Sequence, residues 1–139
     1  MYQKLILLLV SLSALATANN FLNTCQDVGV LADGRTLTAK CDHADQPPRP
    51  RSIKQFKSVL DLSRCLKWDG KELVREPNGN FFASMVSCNL VESATLACNY
   101  YNFQNSLLGT RFDLNSLVYN KEGVLGCMDY LGVPIDYIR

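Results

Sequence analysis

Two stretches of this chain follow one pattern, and an internal repeat restricts the possible folds more than any other feature. Residues 58–73 read SVLDLSRCLKWDGKEL and residues 110–127 read TRFDLNSLVYNKEGVLGC. In each, a hydroxyl residue leads through an apolar one to Asp-Leu-Ser/Asn. A short apolar turn follows, then a polar cluster ending in glycine, then leucine. Asp61 answers Asp113 at an offset of 52, and Gly70 answers Gly123 at 53. Val59 and Leu60, like Arg111 and Phe112, read as strand ends. Asp61 and Asp113 then act as N-caps, because a carboxylate accepts the unpaired N–H groups of a first helical turn. As paired acids for chemistry they are already explained. The clusters Trp68-Asp69-Gly70 and Asn120-Lys121-Glu122-Gly123 read as hairpin turns in which glycine supplies a positive φ. New strands follow at 71–74 and 124–127. The unit is strand, single helical turn, hairpin.

The similarity extends upstream. Residues 20–25 answer 80–85 at an offset of 60, and 36–41 answer 95–100 at 59. The drop from about 60 to 52 places an insertion inside the first repeat. That insertion contains Gln46-Pro47-Pro48-Arg49-Pro50-Arg51, which cannot join a ladder because proline lacks the backbone donor. Residues 43–57 read as an extended, exposed, basic loop. Residues 36–41 alternate as a half-buried strand with Leu37, Ala39 and Cys41 on one face. Pro77-Asn78-Gly79-Asn80 separates the repeats. The expected organisation is repeat one at about 20–76, repeat two at about 80–127, and a tail at 128–139 whose apolar residues pack on the surface.

Residues 1–18 read as a signal peptide. Lys4 precedes the apolar run 5–10, and Ala16-Thr17-Ala18 has the small-x-small form of a cleavage site. The run is too short to span a bilayer, and no later stretch is long and apolar enough. The chain is expected to be secreted and extracellular. Six cysteines in that setting favour three disulfides. A hairpin joining the first two strands brings Cys25 near Cys41. Met85 and Tyr100 occupy the equivalent positions in repeat two, with Cys88 and Cys98 displaced inward along the same hairpin. Cys65 and Cys127 are left over and would cross between repeats. Fifteen pairings are possible for six cysteines, and Cys25–Cys41, Cys88–Cys98 and Cys65–Cys127 is the favoured set. The crossing link requires the repeats to interleave.

A net charge of +1 supplies no field for nucleic acid. There is no C-x-x-C pair, and His43 is the single histidine, so neither a metal nor a cofactor is expected. His43 has no nucleophile beside it in sequence and is expected to be exposed. No catalytic constellation is present. A glycosidase would need two acids converging on one cleft, and Asp42 with Glu122 is the pair the fold would have to bring together.

The pattern Phe21-x-x-x-Cys25, Leu37-Thr-Ala-Lys-Cys41, Leu60-Asp61-Leu62 and Asp69-Gly70-x-x-Leu73 is followed by Asn80-Phe81, Leu96, Phe112-Asp113-Leu114-Asn115 and Gly123-Val124-Leu125. This doubled order resembles the cyanovirin-N homology (CVNH) family over about residues 20–127. The resemblance implies an all-β, pseudo-two-fold fold. Two interleaved repeats each form a three-stranded sheet plus hairpin with short helical turns. It implies a non-catalytic lectin for mannose-containing oligosaccharides, high-mannose glycans above all, existing as a monomer or strand-exchanged dimer. It also implies one carbohydrate site at each distal end. The first would use Asn20, Asn23, Thr24, Asp42 and Ala44, with Asn120, Lys121 and Glu122 from the second repeat's turn. The second would use Lys67, Trp68, Asp69, Asn80, Ala83, Ser84, Tyr101, Asn102, Phe103 and Asn105. Amides, carboxylates and hydroxyls match sugar hydroxyls in fixed directions. Trp68, Tyr101 and Phe103 can stack on a pyranose face or belong to the core, and the core is the favoured place for Phe103. Ala83, Met85 and Tyr100 depart from the pattern of the first end. The alternative function is a disulfide-stapled secreted protein that binds a protein partner through the Pro/Arg-rich loop or the tail.

Overall fold

The computed structural model describes residues 20–43 and 53–139. The expected signal peptide at 1–18 and most of the proline-rich loop, Ala44 included, lie outside the described residues.

Alternation builds the first sheet. A 3-10 turn, Phe21–Asn23, leads into β1 (Cys25–Val30), β2 (Thr36–Asp42) and β3 (Gln55–Asp61). Leu37, Ala39 and Cys41 of β2 are buried, as are Ser58 and Leu60 of β3, while their neighbours in sequence are less so. Asp61 leaves β3 in extended conformation and accepts the Ser63 N–H at 3.0 Å, capping the 3-10 turn Leu62–Arg64. The hairpin β4 (Leu66–Trp68) and β5 (Leu73–Arg75) follows, slightly later than the expected 71–74.

The second repeat copies this order. The 3-10 turn Phe81–Ser84 precedes β6 (Ser87–Val91), β7 (Thr95–Tyr101) and β8 (Leu107–Asp113). Asp113 caps the turn Leu114–Ser116 through the Asn115 N–H at 3.0 Å. β9 (Val118–Lys121) and β10 (Val124–Cys127) form the second hairpin. Its turn holds Glu122 and Gly123 at φ +51° and +95°. A Cβ on Gly123 would strike Phe56, so both backbone and packing require glycine there.

The repeats interleave. The Leu125 N–H of β10 donates to the buried Ser58 Oγ of β3 at 3.0 Å. The Asn20 N–H donates to the Asn115 carbonyl, and the Asn80 N–H to the Ser63 carbonyl. Leu62 N–H donates to the Arg35 carbonyl, and Leu114 N–H to that of Ala94. These matched pairs define the pseudo-two-fold. Both repeats feed one core, in which Leu37, Leu60, Leu66, Leu96, Leu114 and Leu125 are fully buried. Disulfides join Cys25 to Cys41, Cys88 to Cys98 and Cys65 to Cys127, and no free cysteine remains.

The tail departs from expectation. β11 (Tyr130–Leu131) pairs with β10, and β12 (Val133–Ile138) pairs antiparallel with β3. The first sheet therefore has four strands, in the order β1-β2-β3-β12, while the second keeps three, β6-β7-β8. Met128 and Tyr130 pack against the core, whereas β12 is held by main-chain pairing and not by apolar packing, since every residue of it is exposed. No described helix is long and apolar enough to cross a membrane.

Candidate functional site

At the first end, residues from both repeats meet around Asn120, the last residue but one of β9. Its Nδ2 donates to Thr24 Oγ1 at 3.0 Å and to the Asp42 carbonyl at 3.1 Å. Its Oδ1 accepts the Gly123 N–H at 2.7 Å, which ties the side chain to its own turn. All of its polar atoms are thereby aimed by the fold. Thr24 caps the turn after Phe21, and the Asp42 N–H donates to the Thr24 carbonyl at 2.8 Å. The Asp42 carboxylate accepts Gln55 Nε2 at 3.1 Å, and Gln26 Nε2 donates to Gln55 Oε1 at 3.3 Å. Glu122 contributes its carbonyl, 2.8 Å from His43 Nδ1.

The structure thus brings Thr24, Asp42, Asn120 and Glu122 together. Asn20 and Asn23 are exposed just before them, joined by the Asn23 N–H to the Asn20 carbonyl, and Lys121 is exposed at the end of β9. His43 corrects its expectation. It is half-buried, since its ring meets Phe56 edge-on at 5.2 Å while Nδ1 faces the Glu122 carbonyl. Sequence reading missed Gln26, Gln55 and His43 as members of this cluster. The pairing of Gln55 with Asp42 across β3 and β2 would have found Gln55, but the insertion hid where β3 begins.

The second end is built differently. Trp68 stands at the position equivalent to Asn120, by the offset of 52. It does not bridge polar groups but packs on Tyr100 at 4.4 Å between ring centroids, half-buried against the core. Tyr101, equivalent to Asp42, is 57% exposed. Phe103 is 96% exposed at the tip of the β7–β8 hairpin, which overturns its assignment to the core. The tip is shaped by polar residues: Asn102 Oδ1 accepts the N–H groups of Gln104 and Ser106. Asn105 follows at φ +62°. Asp69 accepts the Glu72 and Lys71 N–H groups at 2.7 and 2.8 Å, and these bonds hold its carboxyl below the usual carboxylate range. Lys67, Ala83 and Ser84 are exposed, as is Asn80, which sits at φ +51° like its counterpart Asn20 at +92°. The end presents exposed Tyr101 and Phe103 rings and the stacked Trp68–Tyr100 pair, with polar groups on its loops. Among the described residues no group of three or more His, Cys, Asp or Glu converges.

Several solved structures share this fold, three of them as follows. TbCVNH of T. borchii superposes with a TM-score of 0.63 at 24% identity, covering 78% of this chain and 99% of that one. A MoCVNH3 variant in complex with (N-GlcNAc)4 gives 0.64 at 19%, covering 80% and 98%. A microvirin:mannobiose complex gives 0.60 at 23%, covering 79% and 99%. No curated protein sequence matches at a significant level. The sequence model of the CVNH domain matches residues 21–126, nearly all of the described fold, and the chain belongs to the CVNH domain family.

Proposed function

We propose that this protein is a secreted, non-catalytic lectin that holds mannose-containing oligosaccharides at its first end through hydrogen bonds to sugar hydroxyls. The observation that carries the reading is the Asn120 bridge to Thr24 and Asp42. The bridge fixes the Thr24 hydroxyl and the Asp42 main chain, and Gln55 Nε2 holds the Asp42 carboxylate beside them, so hydroxyl and carboxylate stand in fixed directions, as recognition of a polyol requires. The cluster needs residues from both repeats, so the interleaved fold pre-forms the site. Relatives of this fold have been solved with mannobiose and with a GlcNAc oligomer. Three disulfides agree with an oxidising, extracellular setting. The second end, with Trp68, Tyr101 and Phe103, is a weaker site in this reading. Aromatic faces bury the apolar side of a sugar ring but direct few hydroxyls.

A glycan array probed with the full-length secreted chain tests the reading. Retention on mannose-containing oligosaccharides, unchanged by a chelator and without cleavage of the bound glycan, is the expected result. Retention on no glycan overturns it.

A further inference from the structure

A polar cleft of about 240 Å³ opens where the two repeats join, lined by Arg35, Asp61, Ser63, Arg64, Asn78 and Asn80. It shares only Asn80 with the second end. A second cleft of about 270 Å³ shares Arg64 and Asn78 with it and adds Pro77, Met128, Asp129 and Tyr130. Each holds far more than one water, whose share of liquid is about 30 Å³.

Hydrogen-bond donors outnumber free acceptors in the first cleft. Among the described residues the Arg35 side chain keeps only a distant ion pair, Nε to Asp33 at 3.9 Å, and Arg64 spends one N–H on Asn78 Oδ1 at 3.3 Å. Asp61 is the opposing charge in the lining, with its Oδ1 already engaged in capping Ser63, and Asp33 stands beside Arg35 just outside it. Ser63 is 8% exposed, yet its buried Oγ has no hydrogen-bond partner. Buried polar atoms are rarely left so, and each exception calls for a cause. Beside this donor set, the Tyr130 ring lies under the Arg64 guanidinium at 5.2 Å and adds an aromatic wall.

The pseudo-symmetry serves as an internal control. Asn115, the counterpart of Ser63, also carries a buried oxygen without a partner, so the fold leaves such an atom in each repeat. The counterparts of Arg35 and Arg64 are Ala94 and Ser116, as the matched hydrogen bonds and the offset of 52 require. Both guanidinium groups belong to the first repeat alone. The planar fork of a guanidinium donates two parallel N–H bonds to the oxygens of a carboxylate or similar oxyanion.

We propose that this cleft is a third site, which receives the carboxylate or sulfate group of an acidic saccharide. It rests on the lectin reading, which concerns neutral glycans at the ends. Calorimetric titration at low salt tests it with four probes: trigalacturonate, its neutral methyl ester, a sulfated mannose trisaccharide and inorganic sulfate. One or both acidic saccharides should bind at least about tenfold tighter than the methyl ester, and the one that binds identifies the anion. Arg35→Gln and Arg64→Gln should each cost about tenfold, the size of one charge-assisted bond. Neither change should alter binding of a neutral mannose oligosaccharide. Arg64 also packs on Tyr130, so Arg35→Gln carries the test if Arg64→Gln lowers the melting temperature. Equal binding of acid and ester, retained binding in Arg35→Gln, or a response to inorganic sulfate alone overturns the proposal. If neutral mannose binds and no acid does, this inference fails by itself; if acids bind and no neutral glycan does, the end-site reading fails instead.

Discussion

One position sets the two ends apart. Asn120 and Trp68 occupy equivalent places after equivalent capped turns, but one bridges Thr24 and Asp42 while the other packs on Tyr100. Trp68→Ala should therefore act first on stability. A buried aromatic truncation costs about 3–5 kcal/mol, and a half-buried one should cost roughly half of that. Thermal melts read this directly; an unchanged melting temperature would make Trp68 a surface platform. Asp33 gives a pH prediction. Partial burial raises its carboxyl, but bonds from Thr36 Oγ1 and from the Arg35 and Thr36 N–H groups outweigh this and hold it below 3.8. A lowered folded-state pKa stabilises above the unfolded value and loses that contribution as pH falls through the folded one. The gap in melting temperature between wild type and Asp33→Ala should stay constant from neutrality to about pH 4. Below that it should narrow; a gap that persists in acid removes the assignment.

At the scale of elements, the repeated unit was readable because each part has a local chemical cause. Asp61 and Asp113 cap turns, Gly70 and Gly123 close hairpins, and Leu37, Ala39 and Cys41 alternate into the core. The tail had no such signal. Nothing in Val133-Pro134-Ile135-Asp136-Tyr137-Ile138 shows that its main chain finds the edge of β3, because that pairing is a long-range event. Pro134 even argues against a strand, and the register shifts beside it. Gly132 makes the pairing possible. Its N–H donates to the Leu125 carbonyl at 2.8 Å, and a Cβ there would strike the Val59 carbonyl. Gly132→Ala should detach β12, expose the edge of β3 and promote self-association. Hydrogen exchange at 55–59 should accelerate in the variant. Protection equal to wild type would show that β12 does not depend on this contact.

For the whole molecule, interleaving was legible through Cys65 and Cys127, which the two hairpin pairings leave over, while the site was legible only in part. Thr24, Asp42, Asn120 and Glu122 could be carried to their places by repeat position. Gln26, Gln55 and His43 could not, because their contacts arise from strand register across an insertion that sequence periodicity cannot bridge. Cys65–Cys127 fixes the crossing at a sequence separation of 62. Its replacement by alanines should cost about 4 kcal/mol in the chain-entropy account, read by urea unfolding. A change below about 1 kcal/mol would mean that the repeats hold together without it. The central claim is that this crossing assembles a sugar site at the first end. Calorimetric titration of a mannose oligosaccharide into wild type, Asp42→Ala and Glu122→Gln, with melting curves alongside, tests it most directly. The account predicts binding to wild type and a loss of about tenfold or more in each variant. Melting should change little, since exposed substitutions stay within about 0.5 kcal/mol. Equal binding by all three proteins would contradict it.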